Sequence, residues 1–203
     1  MLTSRPRGFT LIELAIGLAL IGLLLTLAAP GFRAMLDNTR LRTQAESMLT
    51  GLQAARSEAL KRNRNVEFLL TDDPVSDTNF ASADANTSGP GWLTRVNTGS
   101  GFAYVDSRSG VEASSQAVGD ALTTQIALTG APGNIISFDG VGRANLAASA
   151  QLDIARANPD DRPELRCIAA GGPMRCLRIV VFPAGRVRLC DPSVTTAGDT
   201  RAC

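Results

Sequence analysis

Residues 9–29 form an apolar run interrupted only by Thr10, Glu13 and Thr26, and a short basic leader carrying Arg5 and Arg7 precedes it. As a helix this run spans roughly 31 Å, close to the hydrocarbon thickness of a bilayer. The chain therefore has to begin as a helix that buries its surface in lipid or among other helices. Arg5 and Arg7 hold the leader on the cytoplasmic side and direct the remainder outward. A secretory signal has a shorter apolar core followed by a small-residue cleavage site. Here Pro30 follows Ala28-Ala29 and disfavours a cut at that point. Glu13 needs a reason, because a carboxylate one turn inside a membrane helix is expensive. Removal of the leader after Gly8 would create an amine on Phe9, and such an amine on a neighbouring subunit neutralises Glu13 when helices stack. The alternative is that Glu13 lies at the headgroups and costs little.

Roughly 170 residues remain beyond this segment, one domain of ordinary size. The formal net charge is +1, so no global field argues for nucleic acid and any such site must be local. Lys61 is the only lysine. The chain has no histidine, and so lacks the usual catalytic base and the commonest metal ligand. Gly-x-Ser-x-Gly elbows, phosphate loops and paired-carboxylate motifs are absent. Asp72-Asp73 and Asp160-Asp161 sit beside prolines in turn-like stretches. The reading is of a protein that is not an enzyme, with no catalytic residue, no cofactor and no metal site.

Four cysteines, Cys167, Cys176, Cys190 and Cys203, lie at the C-terminal end. Four allow three connectivities. An exported domain meets an oxidising compartment, and the close paired spacing of a zinc site is missing, so disulfides are favoured over metal. Cys167 and Cys176 flank a Gly-Gly-Pro stretch that reads as a hairpin tip, which favours Cys167–Cys176 and leaves Cys190–Cys203 to close the tail.

The helix is expected to continue to about Arg62. Leu41, Ala45, Met48, Leu52, Ala55 and Ala59 alternate steps of four and three, an amphipathic stripe that faces a core. Arg33/Asp37, Arg42/Glu46 and Glu58/Arg62 have the spacing of ion pairs along a helix. Pro30 is a candidate kink, and Asn63-Arg64-Asn65 ends the helix. Short strands are expected at 66–71, 92–96, 102–106, 125–129, 134–138, 165–169, 177–182 and 187–190, separated by turn-rich stretches. The polar loop 71–91 reads as mobile or partner-facing. A long helix followed by antiparallel strands is an α+β arrangement.

Arg7-Gly8-Phe9-Thr10-Leu11-Ile12-Glu13-Leu14 resembles the class III leader junction of type IV pilins and type II secretion pseudopilins. The resemblance implies that a prepilin peptidase cuts between Gly8 and Phe9, that Phe9 is N-methylated and that Glu13 guides assembly. Pro30 matches the kinking proline of that family. Residues 52–62, 138–143 and 185–190 are similar to segments of the FimT/FimU and GspH minor pilin group. This implies a leader over 1–8, a transmembrane helix over 9–29, an amphipathic continuation over 30–64 and a β-rich, sandwich-like pilin domain over 65–203. The implied protein is inserted in the bacterial inner membrane with its domain in the periplasm, then assembled into a fibre. Its implied partners are other minor and major pilins, the prepilin peptidase and the membrane. The alternative is a GspH-like pseudopilin working with type II secretion pseudopilins.

Some FimT-like minor pilins bind DNA through a C-terminal Gly-Arg-x-Arg motif, and Gly185-Arg186-Val187-Arg188 matches it. Period-two spacing places Arg186 and Arg188 on one face of a strand, where both guanidinium groups fork onto phosphates of double-stranded DNA. Arg178 and Arg175 extend the patch. Such contacts bind backbone without reading sequence and weaken with salt. The opposing reading is an exposed strand whose arginines discourage edge pairing, with Asp191 and Asp199 neutralising the patch. No aromatic residue neighbours Arg186 in sequence, so a stacking platform for single strands is not expected.

Overall fold

The computed structural model describes residues 10–71, 75–108, 124–157 and 161–203, with only the backbone of 25–34. The chain divides into two units, residues 1–36 and 37–203. Helix α1, Leu11–Arg62, has 52 residues and runs through the boundary between them. Pro30 lies inside α1. The helix stops where Asn63 takes a left-handed φ of 48°. The Arg64 N–H then reaches back to the Ala59 carbonyl, 3.3 Å away, which satisfies an orphan carbonyl of the last turn.

Eight strands follow: β1 Val66–Thr71, β2 Gly91–Asn97, β3 Phe102–Arg108, β4 Thr124–Thr129, β5 Ile135–Phe138, β6 Ala150–Arg156, β7 Leu177–Val181 and β8 Val187–Cys190. They form two antiparallel four-stranded sheets, ordered β3-β2-β1-β5 and β4-β6-β7-β8. Each sheet turns alternate residues inward, as strand geometry requires. Val66, Phe68 and Leu70 of β1, Leu152 and Ile154 of β6, and Ile179 and Val181 of β7 join one core. The helix stripe from Leu41 to Ala59 is buried in the same core, each residue at most 2% exposed. Gly51 explains how closely α1 approaches the first sheet. A Cβ there would lie 3.0 Å from the rings of Phe68 and Trp92, which stack with centroids 5.8 Å apart. Ser47 Oγ accepts from the Trp92 indole N–H at 3.1 Å, so the ring's polar atom is satisfied where it is buried.

The strand expectations change in two places. Residues 165–169 are not a strand but two short 3-10 turns, Pro163–Leu165 and Ile168–Ala170. Pro163 opens the first turn, and Gly171, at φ 81°, ends the second. β6 was not anticipated, although Leu152 and Ile154 alternate there with Gln151 and Asp153. The loop 71–91 does not stand free. Over its described part, 75–90, the Val75 carbonyl accepts from Ser107 Oγ at 2.8 Å and Asn86 N donates to the Leu70 carbonyl at 2.9 Å. Phe80 also meets Tyr104 with ring centroids 5.7 Å apart. Leu69 and Leu93, which point to this side of the first sheet, are fully buried.

The ion pairs along α1 divide. Arg42–Glu46 and Arg62–Glu58 form at 2.8 and 2.7 Å. Arg33 lies outside the described side chains. Asp37 is buried and pairs with Arg156 at the end of β6, linking the helix to the second sheet.

Candidate functional site

Two regions carry the candidate chemistry, and they lie in different units. In the first, Gly8 and Phe9 fall outside the described residues. Thr10 and Glu13 form a reciprocal cap at the start of α1. Glu13 Oε2 accepts from Thr10 N at 2.9 Å and Thr10 Oγ1 at 2.8 Å, while Thr10 Oγ1 accepts from Glu13 N at 3.2 Å. This is a capping box, with the threonine as N-cap and the glutamate three residues on. In the single chain the carboxylate is thus held by its own helix terminus. Among the described residues no helix is long and apolar enough to cross a membrane.

The second region is the outer face of β6, β7 and β8 with the C-terminal tail. Strand register puts Asp153 beside Arg178, Arg178 beside Cys190, and Val180 beside Arg188. Arg178 donates from Nε to Asp153 Oδ1 at 2.6 Å and from Nη2 to Oδ2 at 3.1 Å. Arg188 Nη2 donates to the carbonyls of Thr200 and Ala202 at 2.9 and 2.6 Å. It therefore clasps the tail that the Cys190–Cys203 disulfide closes. The other disulfide joins Cys167 to Cys176, with Cα atoms 5.4 Å apart. Arg175 is exposed, and its backbone N–H donates to Asn38 Oδ1 at 3.1 Å.

Arg186 differs from these. It precedes β8, in the turn that follows β7, and its guanidinium lies 4.4 Å from the Phe182 ring centroid. It is exposed. Of the four arginines expected to form the patch, Arg186 and Arg175 are exposed, whereas Arg178 and Arg188 are half-buried and bonded within the fold. Sequence spacing placed Arg186 and Arg188 on one face, but it carried no sign that the tail carbonyls would claim Arg188.

The tail has its own electrostatic lock. Arg201 Nη2 lies 2.8 Å from Asp199 Oδ2, and the Arg201 backbone N–H donates to Asp199 Oδ1 at 2.8 Å. The Arg201 side chain, aided by its backbone N–H, holds the Asp199 carboxyl down from 3.8 to about 2. A depressed carboxylate value means that this support is present above the unfolded value and is lost as pH falls through about 2. NMR titration of the Asp199 carboxyl is expected to give a midpoint near 2. Arg201→Gln should return it toward the ordinary aspartate range, and an unchanged midpoint in that variant would remove Arg201 as the cause.

No cluster of three or more metal-ligating side chains occurs among the described residues. The long N-terminal helix followed by two antiparallel sheets defines a type IV pilin-like fold. A family model described as type II transport protein GspH matches residues 44–185, and one for the prokaryotic N-terminal methylation motif matches residues 3–29. The chain belongs to the GspH family, and it is a minor pilin or pseudopilin of a type IV pilus or a type II secretion system. No protein of curated function matches it. Among solved structures, the type IV minor pilin FimU of Pseudomonas aeruginosa is similar, at 19% identity and TM-score 0.51, over 78% of this chain and 94% of that one. The minor pseudopilin EpsH of the Vibrio cholerae type 2 secretion system is similar at 14% identity and TM-score 0.44, over 76% and 99% respectively.

Proposed function

We propose that this chain is a minor pilin of a type IV pilus. In this reading it is cleaved between Gly8 and Phe9, methylated on Phe9 and held in the inner membrane by residues 9–29. It then enters the fibre at or near the tip and primes assembly. It acts as a structural subunit and is the substrate of the prepilin peptidase rather than an enzyme. The observation that carries the reading is the methylation motif joined to a GspH-family domain. The apolar residues Leu11 to Leu24 support the assembly role, since Leu11, Leu14, Ile16, Leu18 and Leu24 are all more than half exposed in the single chain and need lipid or neighbouring helices to cover them. The Glu13 carboxylate, capped by Thr10 in the single chain, is the group that exchanges this partner for a neighbour's Phe9 amine on assembly.

The Gly185–Arg188 turn favours a pilus that takes up DNA, with Arg186 contacting the phosphate backbone of the duplex. A second reading, a type II secretion pseudopilin that serves protein export, is favoured by the description of the matching family. Deleting the gene in the source cell separates the two. Loss of surface pili and of transformation, with protein secretion intact, is expected. Loss of secretion with pili intact would overturn the pilus reading. Mass spectrometry of the sheared fibre fraction should find the chain beginning at a methylated Phe9.

A further inference from the structure

The Gly-Arg-x-Arg motif is read as two arginines on one strand, but the folded chain gives Arg186 a different neighbour. Beyond β7 the chain turns through Pro183, Ala184 and Gly185. This turn is fastened on one side by Gly185 N to the Phe182 carbonyl at 2.8 Å and on the other by Ala144 N to the Pro183 carbonyl at 3.0 Å. Gly185 lies against the 139–143 loop and the last turns of α1. A Cβ on it would fall 1.7 Å from the Gly142 carbonyl oxygen and 3.2 Å from Arg56 Nε. Arg56 in turn donates from Nε to the Gly142 carbonyl at 3.0 Å. This bond fixes the stem of the Arg56 guanidinium beside the Arg186 turn.

The two arginines line the same groove, about 210 Å³ in volume, with Leu60 and Val187 as apolar walls and Gln53 and Ser57 as uncharged hydrogen-bonding groups. Among the described residues no carboxylate lines it. Nearby cations are otherwise engaged. Glu58 holds Lys61 and Arg62 at 2.7 Å each, Asp139 holds Arg143 at 3.1 Å, and the Thr98 carbonyl takes Arg64 Nη1 at 3.1 Å. Two guanidinium groups in one groove, with no acid in its lining, are a donor set suited to an anion such as a phosphodiester.

We infer that Arg56, not Arg188, is the second phosphate-binding arginine, and that the nucleic-acid contact runs across the α1 end of the groove rather than along β8. This rests on the DNA-binding reading above. Arg188 serves instead to hold the tail, and Arg178 to pair with Asp153. Gly185 is needed because only a residue without a Cβ lets the Arg186 turn come this close to the Gly142 carbonyl that Arg56 holds.

The test uses the full chain in neutral detergent and a short fluorescein-labelled DNA duplex, titrated across a salt series. For the wild type, log K should fall linearly with log salt. Arg186→Gln and Arg56→Gln should each reduce that slope by about 1, because each leaves one phosphate without its arginine. Arg188→Gln and Arg178→Gln should leave it unchanged. Arg56→Lys, which keeps the charge but loses the Nε bond to Gly142, should retain the wild-type slope and so separates charge from folding. If Arg186→Gln lowers the slope and Arg56→Gln does not, or if Arg188→Gln lowers it, the Arg56 assignment is overturned while the DNA reading stands. If the wild type shows no salt-dependent binding, both fall, and the groove is left to a carboxylate of a neighbouring subunit.

Discussion

Asp37→Ala is expected to destabilise the 37–203 domain by about 3–5 kcal/mol, because it leaves the Arg156 guanidinium buried without its counter-charge. The side chains of Arg156 and Asp37 are only 12% and 9% exposed. Among the described residues Arg156 Nε is already buried without a hydrogen-bond partner, so the charge has no second acceptor there to fall back on. The pair ties the first turn of α1 inside the domain to the last residue of β6. Trp92 is the only tryptophan and is buried, which makes its fluorescence during urea unfolding of the full chain a direct readout. The double variant Asp37→Leu/Arg156→Met should recover most of the loss, since replacing both charges with apolar groups of similar size is neutral or stabilising in many buried pairs. If Asp37→Ala unfolds within about 1 kcal/mol of the wild type, the pair is solvated and the linkage it implies is absent.

That ion pair also shows where sequence reading stops. Periodicity along α1 was legible because burial follows a simple period: all six stripe residues are in the core. The C-terminal end of α1 was legible as well, since Asn63 is a local signal, whereas the Thr10/Glu13 cap at the other end went unread although it too lies within one turn. Asp37 had a plausible partner four residues back, Arg33, and its buried partner lies 119 positions away, a separation no local pattern reports. The same limit applies to the candidate site. Spacing put Arg186 and Arg188 on one face but could not show that the tail carbonyls satisfy Arg188, nor that Arg56 of the helix reaches the groove beside Arg186. β6 was missed for a different reason. Its period-two alternation was present, but the strand follows directly on a small-residue stretch, Ala147-Ala148-Ser149, that reads as loop. Residues 165–169 have the apolar content of a strand, but Pro163 and the left-handed Gly171 leave no room for an extended run.

A glycine precedes Arg186 for a steric reason. Gly185 and Gly171 share a left-handed backbone, with φ of 79° and 81°, so alanine at either position incurs about 1–2 kcal/mol of conformational strain. Their surroundings differ. A Cβ at Gly171 meets nothing within 4 Å, whereas at Gly185 it meets the Gly142 carbonyl oxygen at 1.7 Å. That oxygen belongs to backbone already fixed by Arg56, so it cannot move aside as a flexible side chain would. Relieving the clash displaces either the 139–143 loop or the Arg186 turn, adding about 1–3 kcal/mol of the kind seen when a packed site is overfilled. Gly185→Ala should therefore lower the Trp92 unfolding midpoint clearly more than Gly171→Ala, with the difference measuring the clash alone. Under the proposed duplex contact it should also weaken binding even at temperatures where the domain stays folded, because the turn that sets Arg186 beside Arg56 can no longer close. Equal destabilisation by the two alanines would show that the close approach of Gly185 to Gly142 is relieved without cost, and the groove would then lose its structural reason for a glycine at that position.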